Sequence, residues 1–205
     1  MIAIINYGLG NLSSILNMHK RLGIDAVITA DFEVLEKASK LILPGVGHFK
    51  KGMDNLKASG LQQFLDKQVL ENKKPILGIC LGAQLMTKHS EEANISGLGW
   101  VDAHTIRFQQ QKLGNLRVPH MGWGDITITA ANPLLKNLPE DPSFYHVHSY
   151  HFNFTEPTEV IATTRYGYEF ASAFQKNNIY GTQFHPEKSA DHGLALYRNF
   201  LHWKP

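Results

Sequence analysis

The chain has 205 residues, 43% of them hydrophobic, and a formal net charge of +2. That length suits one domain with a substantial core, and so small a charge argues against nucleic-acid binding by bulk electrostatics. A single cysteine excludes an internal disulfide and fits a reducing compartment.

Met1 leads straight into Ile2-Ala3-Ile4-Ile5 with no basic segment ahead of it, which reads as a core strand and not as a secretory signal. No apolar run approaches the ~20 residues that a membrane helix needs. The expectation is a soluble cytoplasmic protein with one domain over residues 1–205.

Ile2–Ile5 predicts the first strand, and Tyr7-Gly8-Leu9-Gly10-Asn11 a glycine-rich turn. Leu12, Ile15, Leu16, His19 and Leu22 have helical spacing over Leu12–Leu22, and Gly23 ends that helix. The G-x-G pattern here invites a dinucleotide reading. The third glycine of that fingerprint is missing, so a plain turn and no cofactor are expected. Ala26–Thr29 reads as a second strand, and Asp31 can cap a short helix at Phe32–Lys37.

Lys40–Leu43 predicts a third strand that runs into Pro44-Gly45-Val46-Gly47. A glycine-rich loop at the C-terminal end of a strand can turn its N–H groups towards a ligand in the crevice beyond the sheet. His48–Ser59 and Leu61–Asn72 read as helices parted by Gly60, Pro75–Ile79 as a fourth strand, and Leu81–His89 as the next helix. Short apolar strands alternating with helices imply a parallel sheet covered on both faces.

From Gly97 the pattern turns strand-rich: Trp100–Phe108, Leu116–Val118, Asp125–Thr129, Ser143–Val147, Val160–Arg165, Phe170–Gln175 and Asn178–Gln183. Asn177-Asn178 suggests a hairpin. Ser189–Trp203 is a closing amphipathic helix with Leu194, Leu196, Tyr197, Phe200 and Leu201 on or near one face.

The only cysteine lies in Gly78-Ile79-Cys80-Leu81-Gly82, between the fourth strand and the helix after it. A strand, a glycine-flanked corner carrying a nucleophile and a helix form the nucleophile-elbow pattern, with sulfur in place of oxygen. The glycines allow close approach, and the helix N-terminus favours a thiolate and can hold an oxyanion. Such a nucleophile needs a base, and the base an orienting group. Phe184-His185-Pro186-Glu187 offers both, since side chains at i and i+2 of an extended segment lie on one side. His146 and His148 share that spacing, but two histidines without a third ligand are weak evidence for zinc, and no metal is expected.

Taken together, Pro44-Gly45-Val46-Gly47, Gly78–Gly82 with Gln84, and Phe184–Glu187 resemble the class I (triad) glutamine amidotransferases. Four further stretches narrow the resemblance to the glutaminase subunits of imidazole glycerol phosphate synthases: Asn6–Leu12, Val118–Trp123, Tyr145–Tyr150 and Glu187–Ser189. The family fold is α/β, a mostly parallel central sheet flanked by helices plus a second, mostly antiparallel sheet.

The resemblance implies Cys80 as nucleophile, His185 as general base and then acid, and Glu187 as the group orienting His185. The amide of Leu81 and one from Gly45, Val46 or Gly47 would hold the oxyanion. A loop so rich in glycine could keep that amide turned away until a partner binds. Gln84 and Ser149 would hold the two ends of glutamine, with Tyr150 also at the substrate.

The implied partner is a (βα)8-barrel synthase subunit, bound as a heterodimer. It would take ammonia through an internal channel and release imidazole glycerol phosphate and AICAR in histidine biosynthesis. Met121, Trp123, Tyr145, His148 and Lys188 match positions at or near that interface. Gly124 departs from the pattern, because histidine-pathway enzymes usually carry Asn there. Related glutaminases serve a synthase that aminates a nucleotide-linked sugar for surface polysaccharide, which is the alternative acceptor. A peptidase of the same fold would leave Gln84 and Val118–Trp123 unexplained, and a non-catalytic module should have lost Cys80, His185 or Glu187.

Overall fold

The fold is taken from a computed structural model, which describes residues 1–203. Its first half alternates strand and helix: β1 (Ile2–Ile5), α1 (Leu12–Leu22), β2 (Ala26–Thr29), α2 (Phe32–Lys37), β3 (Lys40–Leu43), α3 (Phe49–Ala58), α4 (Leu61–Asp66), β4 (Ile76–Ile79) and α5 (Leu81–Leu85). The second half is mostly strand: β5 (His89–Ser90), β6 (Ile95–Ser96), β7 (Ala103–Arg107), β8 (His120–Ile128), β9 (Ser143–His148), β10 (Tyr150–Phe154), β11 (Val160–Tyr166), β12 (Tyr168–Lys176) and β13 (Ile179–Thr182), closed by α6 (Ala190–His202).

Strands β2, β1, β3, β4 and β13 pair in that order, all parallel. Every residue of β1, β3, β4 and β13 is buried. Successive side chains on a strand point to opposite faces, and each face has its own core. Ala3, Ile5, Leu41 and Leu43 pack with Phe49, Leu56 and Leu65 of α3 and α4. Ile2, Ile4, Ile42 and Leu77 pack with Ile15 of α1 and Leu196 and Phe200 of α6. Asp31 caps α2 as expected, its carboxylate accepting from the amides of Glu33 and Val34 at 2.9 and 3.1 Å.

β13 is also the antiparallel partner of β12, so the parallel sheet continues directly into the antiparallel strands. β12 then pairs with both β10 and β11, and the branch through β11 leads to β8 and β9. The hairpin turn falls at Asn177, whose φ is 52°.

Several elements differ from expectation for identifiable reasons. The helix predicted over Leu61–Asn72 is α4 followed by a wider π-type turn at Lys67–Glu71, where Asn178 Nδ2 donates to the Val69 carbonyl at 2.9 Å. A side chain entering the ladder in this way widens a helix. The helix predicted over Leu81–His89 stops at Leu85, because the carbonyls of Leu85 and Met86 accept from the amides of Leu98 and Trp100. The same bonds shorten the strand predicted over Trp100–Phe108 to β7. Leu116–Val118 is no strand; the pairing starts at His120. β10 was not foreseen. The aromatic–polar alternation runs on from β9, but the chain changes partner at Ser149, from β8 to β7. Among the described residues, no helix is long and apolar enough to cross a membrane.

Candidate active site

β4 and β13 run side by side with Ile79 opposite Thr182, so their chains leave the sheet at the same edge. The Cys80 amide donates to the Thr182 carbonyl at 2.8 Å, and beyond Thr182 the chain runs through Gln183 and Phe184 to His185. One parallel pairing therefore joins two segments far apart in the sequence.

Cys80 sits at the corner with φ 51° and ψ −111°, a conformation that costs a non-glycine residue roughly 1–3 kcal/mol. The flanking glycines are required by close approach. A Cβ on Gly82 would lie 1.9 Å from the Leu43 carbonyl oxygen, and one on Gly78 would lie 2.7 Å from Ala83 Cα. The end of β3 is thereby pressed onto the start of α5. Tyr7 Oη donates to the Pro44 carbonyl at 2.7 Å, which ties the Gly8–Gly10 turn to the Pro44–Gly47 loop. Sequence reading left Tyr7 as part of a plain turn, and no residue pattern connects it to a loop so far along the chain.

His185 Nδ1 lies 2.7 Å from Glu187 Oε1, with the two side chains 1% and 2% exposed. The expected extended segment is extended only at His185. Pro186–Lys188 forms a 3-10 turn, held as the Ser189 hydroxyl donates to the His185 carbonyl at 2.6 Å. The His185 amide donates to the Tyr145 carbonyl at 2.9 Å, which anchors the base to β9. His185 Nε2 makes no closed hydrogen bond.

Burial alone would lower the His185 pKa; the Cys80 sulfur and the Glu187 carboxylate outweigh it and push the ring up to about 10. The unfolded ring titrates near ~6.5. The protonated form therefore adds stability that is complete below about pH 6.5 and is lost as the pH rises towards about 10. Glu187→Gln removes one of the charges holding this proton. Denaturant titrations should show a stability gap between wild type and Glu187→Gln that is open at neutral pH and closes as pH approaches the wild-type ring's pKa. A gap that stays constant over that range would disconnect Glu187 from the imidazole.

A cavity of about 320 Å³ opens on this corner. Val46, Gly47, Cys80, Leu81, Gln84, Ser149, Tyr150 and His185 all line it. Gly45 does not; it packs beneath, where a Cβ would lie 2.5 Å from the Gly82 amide nitrogen. Gln84 lines the wall, but its side-chain amide donates to the Tyr150 carbonyl at 3.0 Å and to Gln183 Oε1 at 3.1 Å. Glu92, Pro119 and Val147 line the cavity too, and sequence reading missed them. Glu92 also accepts from the Phe49 amide at 2.6 Å; nothing in its local sequence marks it.

Antiparallel pairing sets Trp123 opposite Tyr145 and Met121 opposite Val147. Met121 is 62% and Trp123 55% exposed. The Trp123 and Tyr145 rings meet edge-on at 6.5 Å, and Lys188 Nζ lies 5.5 Å from the Tyr145 ring centre. These four form one exposed patch beside the site. His148 lies apart from this patch. Alternation along β9 turns Phe144, His146 and His148 inward, leaving His148 buried against the cavity.

The family model for glutamine amidotransferase class-I matches residues 3–203. A protein of Methanococcus maripaludis named imidazole glycerol phosphate synthase subunit HisH 2 is 50% identical over 202 residues, covering 98% of each chain. One of the same name from Pseudomonas aeruginosa is 43% identical over 201 residues, again covering 98% of each. A solved structure titled glutamine amidotransferase superposes with a TM-score of 0.74 at 24% identity, over 98% of this chain and 96% of that one. A match that runs from β1 to α6 leaves no part of the fold outside it, and the chain belongs to the class-I glutamine amidotransferases.

Proposed function

We propose that the chain is a single-domain glutaminase subunit of an imidazole glycerol phosphate synthase, acting in the cytoplasm on L-glutamine through Cys80, His185 and Glu187. One observation carries the chemistry: an imidazole, held 2.7 Å from a buried carboxylate, lines one cavity with a cysteine held at φ 51°. The subunit assignment rests on relatives that bear that name over nearly their whole length.

In this reading the thiol proton already rests on His185, and the Cys80 sulfur attacks the γ-carboxamide carbon as thiolate. The oxyanion is held by the Leu81 amide and by one from the Gly45–Gly47 loop; loss of one such donor costs about 10²–10³ in turnover. The C–N bond breaks, His185 returns the proton to the leaving nitrogen, and ammonia departs. Water then opens the thioester to give glutamate. Glu187 holds the imidazole in place throughout. Gln84, Ser149 and Tyr150 form the wall against which the amino-acid end of glutamine rests.

Ammonia passes through a channel in a (βα)8-barrel partner, which closes the imidazole ring and releases imidazole glycerol phosphate and AICAR. The partner sits on Met121, Trp123, Tyr145 and Lys188. Trp and Tyr are enriched among binding hot spots, and Met at interface cores. A second acceptor, a nucleotide-linked sugar, is kept in view by Gly124. A Cβ there would face inward, 3.1 Å from His146 Cδ2, so a longer side chain at 124 would compete with His146 before reaching a partner.

The experiment is a glutaminase assay of the purified chain with each candidate synthase, with and without that synthase's own acceptor. Turnover should be slow alone and rise with the histidine-pathway synthase and its ligand. Trp123→Ala should weaken the complex by about 2 kcal/mol or more while leaving the fold intact. Activation by the sugar-aminating synthase alone would transfer the assignment to the second acceptor, and full activity without any partner would remove the gating.

A further inference from the structure

β8 and β9 bring together side chains that the glutaminase reading does not use. Pairing sets His120 opposite His148 and Gly122 opposite His146. The three rings turn inward and are 3%, 0% and 6% exposed for His120, His146 and His148. One ring nitrogen from each lies within 4.8 Å of the other two. Two histidines on one strand had lacked a third ligand, and strand pairing supplies it.

The proton count in this cluster does not close. The cluster holds no carboxylate to pair with a buried charge, so each ring is a neutral imidazole with one N–H and one lone pair. His148 Nδ1 donates to the Tyr150 carbonyl at 2.8 Å, which leaves His148 Nε2 as a bare lone pair. His146 Nδ1, 3.1 Å away, must then supply the proton between them, and His146 Nε2 is bare as well. It has no partner, and neither has His120 Nδ1. An unsatisfied buried nitrogen is costly, and two in one cluster point to a ligand that would take their lone pairs.

We propose that His120, His146 and His148 form a three-imidazole site for a divalent transition metal of the zinc class, separate from the Cys80–His185 pair. Neutral imidazoles with no carboxylate among them suit zinc, cobalt, nickel or copper and not magnesium or calcium. Zinc–nitrogen bonds of about 2.0–2.1 Å in a tetrahedral site place ligand nitrogens about 3.3–3.4 Å apart. The three donor nitrogens lie within 4.8 Å of one another, and ring rotation, with His146 moving its proton off the ligating nitrogen, closes the rest. The Tyr150 carbonyl on His148 is the outer-shell hydrogen bond that fixes a ligating tautomer. Tyr166 stacks on His120 at 4.0 Å and Phe184 lies 5.8 Å from His146, an apolar shell. Gly124 makes the room, since a Cβ there would press His146 Cδ2 at 3.1 Å and His120 Cε1 at 3.3 Å. His148 lines the cavity that also holds Cys80, which gives a metal its way in and leaves the fourth position to water.

The test is titration of the EDTA-stripped full chain with zinc by calorimetry and with cobalt by visible absorption. One equivalent should bind, and the cobalt spectrum should show d–d bands without sulfur-to-cobalt charge transfer. Cys80→Ser should bind as wild type does. His146→Phe, which substitutes one flat ring for another, should weaken binding by more than the ~10–100-fold that an outer-shell change costs. Gly124→Ala should weaken it too, with its metal-free melting temperature reporting whether the fold is kept. Wild type that binds no equivalent, binding that survives both His146→Phe and Gly124→Ala, or binding lost in Cys80→Ser with a charge-transfer band in wild type would each overturn the site. The last outcome would place the metal on Cys80 and His185.

Discussion

Cys80→Ala is expected to abolish glutamine-dependent synthesis by the reconstituted complex, by ~10⁴-fold or more, while synthesis from added ammonia continues at the wild-type rate. The size follows from the chemistry. Without sulfur there is no thioester, and the oxyanion donors and His185 have nothing to act on. The ammonia route bypasses the elbow because its chemistry belongs to the partner. Alanine accepts the same corner as cysteine, at the same backbone strain, and it adds nothing to the contact with β3. The melting temperature should therefore fall only by what the sulfur lends the protonated His185 ring, and partner binding should survive because Met121, Trp123, Tyr145 and Lys188 lie on other elements. Parallel assays with glutamine and with ammonium salt separate the cases. Equal loss of both activities would remove Cys80 from the amide-splitting step.

Gly82→Ala should do the reverse and damage the scaffold first. The new methyl would lie 1.9 Å from the Leu43 carbonyl oxygen, 2.7 Å from its carbon and 3.0 Å from the Pro44 carbonyl carbon. All three are backbone atoms at the end of a fully buried strand, so no flexible side chain can swing away. Overpacking of this kind costs about 1–3 kcal/mol and occasionally more; the upper end is expected here because β3 and α5 must separate. For a chain of this size that is a fall of roughly 6–12 °C in melting temperature. Separation also moves the Pro44–Gly47 loop away from the Leu81 amide, so glutamine turnover should fail even below the new melting point. Thermal unfolding followed by circular dichroism, with turnover measured well below the transition, checks both. An unchanged melting temperature would show that β3 and α5 do not approach so closely.

The parallel half of the fold was readable because its strands are short unbroken apolar runs. β1, β3, β4 and β13 are buried on both faces, and a strand with no solvent side leaves a plain mark in composition. The elbow was readable for a related reason. Glycines placed on either side of a lone cysteine are a local pattern, and the backbone clash they avoid is local too. The 3.6-residue spacing of α1 and α6 belongs to the same class of signal.

The elements misread are those whose limits depend on a distant partner. α5 stops where Leu98 and Trp100 take its carbonyls, and β10 parts from β9 because β7 lies beside it. His148, matched to a position at or near the partner interface, faces inward because of its place in the β9 alternation, and that phase is set by pairing with β8. The link from Tyr7 to Pro44 and the meeting of His120 with His146 and His148 leave no local trace at all.

By itself the sequence determined the residue kinds and the local geometries they permit: which runs must be buried, where a chain can turn sharply, and which side chains could exchange a proton. Only tertiary structure decided which of them meet. The register of β4 against β13 brings Cys80 to His185, and that of β8 against β9 gathers three imidazoles around missing hydrogen bonds. The physical reason is that hydrogen-bond register between strands is a property of pairs, and a pair distant in the chain has no signature in either member alone.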